Sequence, residues 1–231
     1  MTPAPTPAVE IVLEEPVRIE GGRFAVAVRF IVPEAWHIYW GENPGQTGMA
    51  TRASLAIDGR DAGLPSWSAP KRRVDLGDIT SFVYEPEGWA VWEVDGGSQM
   101  TAVASWLLCR DMCVNGTTTL TRTMSGSDGG RDPRARLPIP APATTLPNGM
   151  VTVCLPQPAE MFPNVPLEET LPTVNIAGRS ASSRWSFDAD DVRPGMAAVF
   201  VSPDGDPRGW RVRLSEVAKS ETACSFDGGG R

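Results

Sequence analysis

The sequence lacks long hydrophobic runs, extended clusters of basic residues and, but for one position, histidine. Its 231 residues carry 28 acidic and 21 basic side chains, which gives a formal net charge of -7. Because no segment concentrates lysine and arginine enough to neutralise a nucleic-acid backbone, binding to DNA or RNA is disfavoured. The longest apolar runs, such as Ala25–Val28 and Met196–Val201, are as long as strands, whereas a membrane-spanning helix needs roughly 20 residues. We therefore expect no membrane span.

Glycine and proline are abundant, with 23 and 22 residues respectively. Both interrupt regular structure, so long helices are not expected, while a hydrophobic content of 41% is enough for a packed core. Short runs rich in β-branched and aromatic residues alternate with turn residues and predict strands. These runs are Arg23–Val32, His37–Trp40, Ala50–Ile57, Gly88–Val94, Thr101–Leu108, Thr117–Met124, Val151–Leu155, Thr173–Ile176, Arg184–Phe187, Ala197–Ser202 and Trp210–Leu214.

The spacing of these strands predicts an all-β protein made of two antiparallel β-sandwich domains. The boundary is indicated by residues 126–149, where a Pro-rich and Gly-rich composition favours extended, semi-rigid backbone. We interpret this segment as a linker between a first domain, residues 1–125, and a second, smaller domain, residues 150–231.

The four cysteines comprise one close pair, Cys109 and Cys113, and two distant residues, Cys154 and Cys224. An even number of cysteines in such a chain favours an oxidising compartment. Since residues 1–7 lack the basic and apolar regions of a signal peptide, we expect a mature form in which a Met replaces the removed signal.

The loop-closure model separates the two pairs. A Cys109–Cys113 disulfide would stabilise the fold by roughly 2 kcal/mol and a Cys154–Cys224 disulfide by roughly 4.5 kcal/mol. This difference favours exchange chemistry for the close pair and a structural disulfide for the distant pair. Arg110 beside Cys109 favours a thiolate, whereas Asp111 opposes it.

Metal binding is the chemical alternative for the close pair. Structural zinc needs four ligands, and the chain offers only His37 and the two distant cysteines in addition to the pair, so no metal site is expected. Copper(I) could use Cys109, Met112 and Cys113 as soft ligands. A copper-binding or adaptor β-sandwich with purely structural disulfides therefore remains the alternative function.

Four segments, in this order, resemble a known family. They are Pro33–Gly45, Trp67–Arg72, Phe82–Glu85 and Ser105–Gly116, the last with the sequence SWLLCRDMCVNG. Residues 8–125 thereby resemble the N-terminal periplasmic domain of the DsbD family of thiol:disulfide interchange proteins, in the branch that includes ScsB, the suppressor of copper sensitivity. The resemblance implies an immunoglobulin-like fold for this part, and the strand pattern favours a similar sandwich for residues 150–231.

The resemblance also implies a function. A domain of this family accepts reducing equivalents from a membrane-embedded redox domain and passes them to periplasmic thioredoxin-like or disulfide isomerase-like proteins. It therefore implies a protein-disulfide reductase, as a periplasmic domain of a larger protein anchored in the inner membrane. Because the electrons reside on sulfur, no cofactor is needed.

The resemblance assigns roles to particular residues. Cys109 and Cys113 are the exchanging pair, and Cys113 is favoured as the cysteine that joins partners. His37 and Tyr39 face the pair from a neighbouring strand, where His37 could assist proton transfer because the usual histidine pKa lies near 6.5. A cap loop over the pair falls within residues 73–81, with Leu76 as its apolar plug.

Overall fold

A computed structural model describes residues 8–75, 78–125, 130–145, 150–164, 182–188, 192–202, 206–216 and 218–219. The chain divides into two compact units, Met1–Leu137 and Pro138–Arg231. Strands dominate the described residues of both units, as the sequence predicts. In this part of the chain, no helix has the length and apolarity required to cross a membrane.

Among its described residues, the first unit contains strands β1 to β12 and two short 3-10 helices, Glu20–Gly22 and Pro133–Arg136. The strands are β1 Glu10–Leu13, β2 Val17–Arg18, β3 Phe24–Ile31, β4 His37–Tyr39, β5 Arg52–Ile57, β6 Arg60–Asp61, β7 Ser66–Trp67, β8 Lys71–Asp75, β9 Ile79–Tyr84, β10 Glu87–Val94, β11 Gln99–Cys109 and β12 Cys113–Thr123.

These strands form two antiparallel sheets. The smaller sheet has the order β1-β3-β10-β7, with β2 on β3, and the larger has the order β6-β5-β11-β4-β9-β8, with β12 on β11. Strand β11 is long enough to pair with two strands in succession on one side, first β5 and then β4. On its other side it pairs with β12 along its whole length. Cys109 and Cys113 therefore lie at one end of this longest ladder of the larger sheet.

The core lies between the two sheets and is rich in aromatic side chains. Phe30 of the smaller sheet contacts Trp106 of the larger one, with ring centroids 6.5 Å apart. Trp67 and Tyr84 make a second contact between the sheets at 6.3 Å. Aromatic residues bury large apolar areas, and their contacts across the interior identify which face of each strand points inward.

The outward face of the smaller sheet is covered by the chain that follows β12. The 3-10 helix Pro133–Arg136 begins where the Asp132 carboxylate accepts a hydrogen bond from the Arg134 backbone N–H at 2.9 Å. Leu137, directly after it, packs against a cluster of Ala27, Trp89 and Val91. The first unit thus extends through residue 137, inside the segment 126–149 in which the sequence predicts a linker.

The second unit contains β13 to β19 among its described residues. They are β13 Ile139–Pro140, β14 Ala143–Thr145, β15 Met150–Pro163, β16 Ser182–Asp188, β17 Ala197–Val201, β18 Trp210–Arg213 and β19 Ala218–Lys219. The strand order is β13-β18-β17-β15-β14-β19, with β16 on β15. The pairs β13–β18 and β14–β19 are parallel and the others antiparallel. The predicted strand Thr173–Ile176 lies outside the described residues.

A compact apolar core supports the second unit as a folded domain. Its fully buried members include Val153 and Leu155 of β15, Phe200 of β17 and Val212 of β18. Residues two apart on a strand share a face, so Val153 and Leu155 both point into this core. The strands that the sequence predicts in this half and that the structure describes coincide with β15 to β18.

Candidate functional site

The site is built on the turn that joins β11 to β12. Cys109 ends β11, Cys113 begins β12, and the two are partners in the antiparallel register. They form a disulfide with their Cα atoms 4.1 Å apart. The backbone N–H of Arg110 donates to the carbonyl of Met112 at 3.1 Å and closes the turn between them.

The two sulfur-bearing residues differ sharply in exposure. Cys109 is 2% exposed, because β11 lies between β4 and β12. Cys113 is exposed, since β12 pairs only with β11 among the described residues, and its neighbour Met112 is 66% exposed. An incoming thiolate therefore meets Cys113 first.

Cys109 lies on the outward face of the larger sheet. Its neighbour Leu108 pairs with Ile38, which pairs with Tyr84 of the interior core. Because side chains alternate along a strand, Cys109 points to the opposite face. There it forms a small cluster with Tyr39 and Val83.

Tyr39 contacts the buried sulfur directly. Its hydroxyl donates to the Sγ of Cys109 at 3.7 Å, a hydrogen-bond distance for sulfur. Burial, with a smaller contribution from Asp75, raises the pKa of Tyr39 above its usual value near 10, so the phenol is a donor at neutral pH. The ring is covered by Gly48, where a Cβ would collide with it and where φ is 93°. Only glycine suits this close approach.

His37 lies beside the same sulfur. It is the cross-strand partner of Cys109 in the β4–β11 register, is 3% exposed, and its ring meets that of Tyr39 edge-on at 5.3 Å. Within the described residues, neither ring nitrogen has a hydrogen-bond partner. Burial, and to a lesser extent the charge of Arg73, lowers the pKa of His37. The imidazole is therefore neutral at neutral pH.

A charged cluster borders His37 on the β8–β9 side. The Arg73 guanidinium donates to Asp75 at 2.9 Å and to Glu85 at 3.1 Å. All three side chains are about one-third exposed. Because one guanidinium engages two carboxylates, the cluster keeps a formal charge of about -1 beside the buried site, and both carboxylates are occupied as hydrogen-bond acceptors.

The predicted cap segment, residues 73–81, forms part of a hairpin. Strands β8 and β9 pair antiparallel from Lys71–Val83 to Asp75–Ile79. Leu76, the predicted plug, lies outside the described residues. The described residues 73–75 and 79–81, on either side of Leu76, therefore belong to strands of the larger sheet.

A contact that the sequence analysis missed holds this hairpin to the loop between β4 and β5. The backbone N–H of Gln46 donates to the carbonyl of Thr80 at 2.8 Å, and the Thr80 N–H donates to Oε1 of Gln46 at 2.7 Å. The N–H of Phe82 donates to the carbonyl of Pro44 at 3.0 Å. The Asn-Pro-Gly turn at residues 43–45 signals a loop, but nothing in it indicates the strand to which the loop binds.

The distant cysteines belong to the second unit. Cys154 lies in β15 and is disulfide-bonded. Cys224, its predicted partner, lies outside the described residues, so the pairing stays a prediction. Cys109, Cys113 and their neighbours all lie in the first unit.

Solved structures that resemble this chain include domains of ScsB and DsbD. The N-terminal periplasmic domain of ScsB from Proteus mirabilis has a TM-score of 0.50 and 14% identity, covering 85% of this chain and 89% of that one. The reduced N-terminal domain of DsbD from Neisseria meningitidis has a TM-score of 0.32 and 18% identity, covering 51% and 89%. A complex of the DsbD and PilB N-terminal domains from the same species has a TM-score of 0.34 and 15% identity, covering 51% of this chain and 85% of that one. The ScsB likeness concerns the fold alone.

Comparison with sequence families gives stronger evidence of relationship than the solved structures do. No curated protein matches the chain. The family described as thiol:disulfide interchange protein DsbD, N-terminal, matches residues 8–125, which contain the Cys109–Cys113 pair, His37 and Tyr39. The all-β fold of the first unit and its disulfide at the end of a hairpin agree with that match. The chain therefore belongs to the family of DsbD N-terminal domains of thiol:disulfide interchange proteins.

Proposed function

We propose that this chain is a periplasmic exchange domain that takes reducing equivalents from a membrane-embedded conduit and passes them to thioredoxin-like proteins through Cys109 and Cys113. The observation that carries the proposal is the unequal exposure of the two cysteines, 2% for Cys109 against an exposed Cys113. The family match supports the chemistry. The periplasmic location of the Proteus mirabilis ScsB domain supports the compartment.

The reducing half of the cycle begins at Cys113. A donor thiolate attacks its Sγ, the Cys109–Cys113 bond breaks, and the electron pair leaves on Cys109, where the Tyr39 hydroxyl stabilises the thiolate. The donor's second thiolate then attacks the donor sulfur of the mixed disulfide and releases Cys113. Two electrons have then moved from the donor to the pair, and the donor carries a disulfide.

The delivering half reverses these roles. The Cys113 thiolate attacks the disulfide of an acceptor and forms a mixed disulfide. Cys109 then attacks Cys113, re-forms the intramolecular disulfide and expels the acceptor sulfur as a thiolate. All electrons stay on sulfur, so the cycle needs no cofactor.

Two variants that each keep one cysteine of the pair test the assignment. In Cys109→Ala the exposed Cys113 remains, and in Cys113→Ala the buried Cys109 remains. Each reacts first with dithiobis(nitrobenzoate), which leaves a mixed disulfide with nitrothiobenzoate on the cysteine. It is then mixed with a thioredoxin-like protein that retains only its first active-site cysteine, whose thiolate displaces nitrothiobenzoate. We expect a covalent complex on non-reducing gels from Cys109→Ala and little from Cys113→Ala. Complexes from neither variant, or mainly through Cys109, would contradict the proposal.

The reduction potential of the pair gives an independent test. Equilibration of the protein with glutathione measures it directly. A carrier must exchange with other thiols, so we expect a potential above about -300 mV. A value far below this would identify a structural bond and favour the adaptor function instead.

A further inference from the structure

We propose that His37 is the base that accepts the proton of the Cys109 thiol when Cys109 resolves a mixed disulfide at Cys113. This inference rests on the proposed exchange function and adds a proton-transfer residue to it. It concerns the delivering half of the cycle, in which a buried sulfur must become a nucleophile.

The need for a base follows from the burial of Cys109. A thiol released at a position that is 2% exposed is favoured in its neutral form, because burial disfavours charge. The thiolate, however, is the species that attacks a disulfide. Removing the proton is therefore part of the resolving step for Cys109, although not for the exposed Cys113.

The position of His37 suits it to this task. It is paired with Cys109 across two adjacent strands, and residues paired in this way have Cβ atoms about 4.5–5.5 Å apart on the same face. Its ring is buried, and within the described residues both nitrogens lack a hydrogen-bond partner. A neutral imidazole with a free lone pair is the form that accepts a proton.

The other groups that face this site have different roles. Tyr39, on the same strand, keeps its proton at neutral pH and donates to the sulfur. From β8 and the end of β9, Asp75 and Glu85 face the site but accept hydrogen bonds from Arg73. At the β11–β12 turn, the exposed Asp111 carboxylate accepts a hydrogen bond from Arg110 at 2.8 Å. Among the described residues, His37 is the neutral base of the site.

The step balances as a proton transfer followed by an exchange. His37 takes the proton of the Cys109 thiol and becomes an imidazolium, and the Cys109 thiolate attacks the Sγ of Cys113. The acceptor sulfur leaves as a thiolate with the electron pair of the broken bond. The imidazolium then releases its proton to water, which returns His37 to the neutral form beside the re-formed disulfide.

A two-phase reaction isolates this step. Reduced protein mixed with excess dithiobis(nitrobenzoate) releases one nitrothiobenzoate when Cys113 attacks and a second when Cys109 resolves the mixed disulfide. The second phase is intramolecular, so its rate is independent of reagent concentration. The Cys109→Ala variant should lack this phase, which identifies the phase as the reaction of Cys109. We expect His37→Gln to slow the second phase by about a hundredfold at neutral pH, as for loss of a general base, and to leave the first phase unchanged.

The pH profile distinguishes a base from a packing residue. In the wild type, the rate of the second phase should level off above the pKa of His37, whereas in His37→Gln it should keep rising with pH. An unchanged rate and profile in His37→Gln would overturn the inference. If His37→Gln does not fold, the wild-type profile decides: a second phase that rises steadily between about pH 5 and about pH 8, with no plateau, overturns it.

The same experiment separates this inference from the proposed function. Two phases that are insensitive to His37 would leave the exchange function intact and reject the base. Absence of any second phase in the wild type would reject resolution by Cys109, and with it the exchange cycle. The variant His37→Asn has a smaller side chain that also cannot titrate. If loss of proton transfer causes the slow second phase, this variant should reproduce the pH profile of His37→Gln.

Discussion

The hydroxyl of Tyr39 donates a hydrogen bond to the Sγ of Cys109 at 3.7 Å, from the strand next to the one that carries the sulfur. In the proposed exchange, the Tyr39 hydroxyl faces the atom on which negative charge develops when the disulfide is opened at Cys113. Hydrogen bonds to charged acceptors are about twice as strong as those between neutral groups. This contact therefore strengthens during the reaction and favours Cys109 as the leaving group.

The variant Tyr39→Phe tests that contact. Loss of a hydrogen bond to a thiolate should slow the reduction of the disulfide by dithiothreitol by about tenfold. The chain has one other tyrosine, Tyr84, whose hydroxyl donates to the Ser68 carbonyl at 3.1 Å in the interior. Tyr84→Phe is the matched control and should reduce stability without slowing reduction. Equal reduction rates for wild type and Tyr39→Phe would contradict the role given to this hydroxyl.

The stability of the oxidised protein should depend on pH through its one histidine. Because the pKa of His37 is lowered in the folded state, the unfolded state binds more protons on acidification. The contribution of His37 to the free energy of unfolding is then fully present above about pH 6.5. It is lost as the pH falls through the lower pKa of the folded state. Urea unfolding between about pH 7 and about pH 5 measures the loss, and His37→Gln should show a flatter dependence. An equally steep dependence in the variant would assign the effect to carboxylates.

The contact between Gln46 and Thr80 should control how often the β8–β9 hairpin opens. Gln46→Ala removes the side-chain acceptor of the Thr80 N–H, and one hydrogen bond contributes about 1 kcal/mol, or roughly a fivefold change in the open population. Hydrogen exchange at the Phe82 amide, which donates to the neighbouring Pro44 carbonyl, should accelerate by that factor. Gln99→Ala, at an exposed position that begins β11, is the control. Unchanged exchange in Gln46→Ala would mean that other contacts hold the hairpin.

Gly116 should tolerate no side chain, because the indole of its cross-strand partner Trp106 lies where a Cβ would be. Gly116→Ala forces Trp106 to shift within the core, and overpacking of this kind costs about 1–3 kcal/mol. Urea unfolding measures the loss. Thr119→Ala, at an exposed position on the same strand, should change stability by less than about 0.5 kcal/mol. Similar values for the two variants would show that Trp106 moves without cost.

The first unit should be more stable in isolation when it includes residues 130–137. Arg29 and Arg136 each place a guanidinium 5.2 Å from the Trp89 ring, and Leu137 packs against the same cluster. A fragment 1–125 loses the contacts of Arg136 and Leu137, and we expect it to be less stable than fragment 1–137 by about 2 kcal/mol. Thermal and urea unfolding of the two fragments compare them. Equal stability would limit the domain to residues 1–125.

The sequence predicts the principal strands and the cysteine pair because both are encoded locally. Phe24–Ile31 is recognisable by its β-branched and aromatic residues, and the spacing of Cys109 and Cys113 is visible without a structure. Strand β8, Lys71–Asp75, was missed because four of its five residues are charged, which resembles a solvated loop. Its backbone pairing with β9 and the ion pair of Arg73 with Glu85 arise only when the hairpin forms.

The arrangement around Cys109 depends on pairings that no local pattern encodes. The resemblance places His37 and Tyr39 near the pair, yet the burial of Cys109 results from its position between β4 and β12. The contact of Gln46 with Thr80 joins residues 34 apart, and neither position has a composition that marks it. Such contacts are set by the tertiary register, which is the part of the fold that hydrophobic periodicity does not specify.

The register of β11 and β12 bears on what happens to the domain when its disulfide is absent. The 11 residues of β11 are already joined to β12 by a continuous backbone ladder, and the Cys109–Cys113 bond spans only its last rung. The architecture therefore does not depend on the bond that the chemistry opens and closes. In the proposed exchange cycle, the domain therefore stays folded and presents the same surface to donor and acceptor, and the change of oxidation state is a local event at one end of the hairpin.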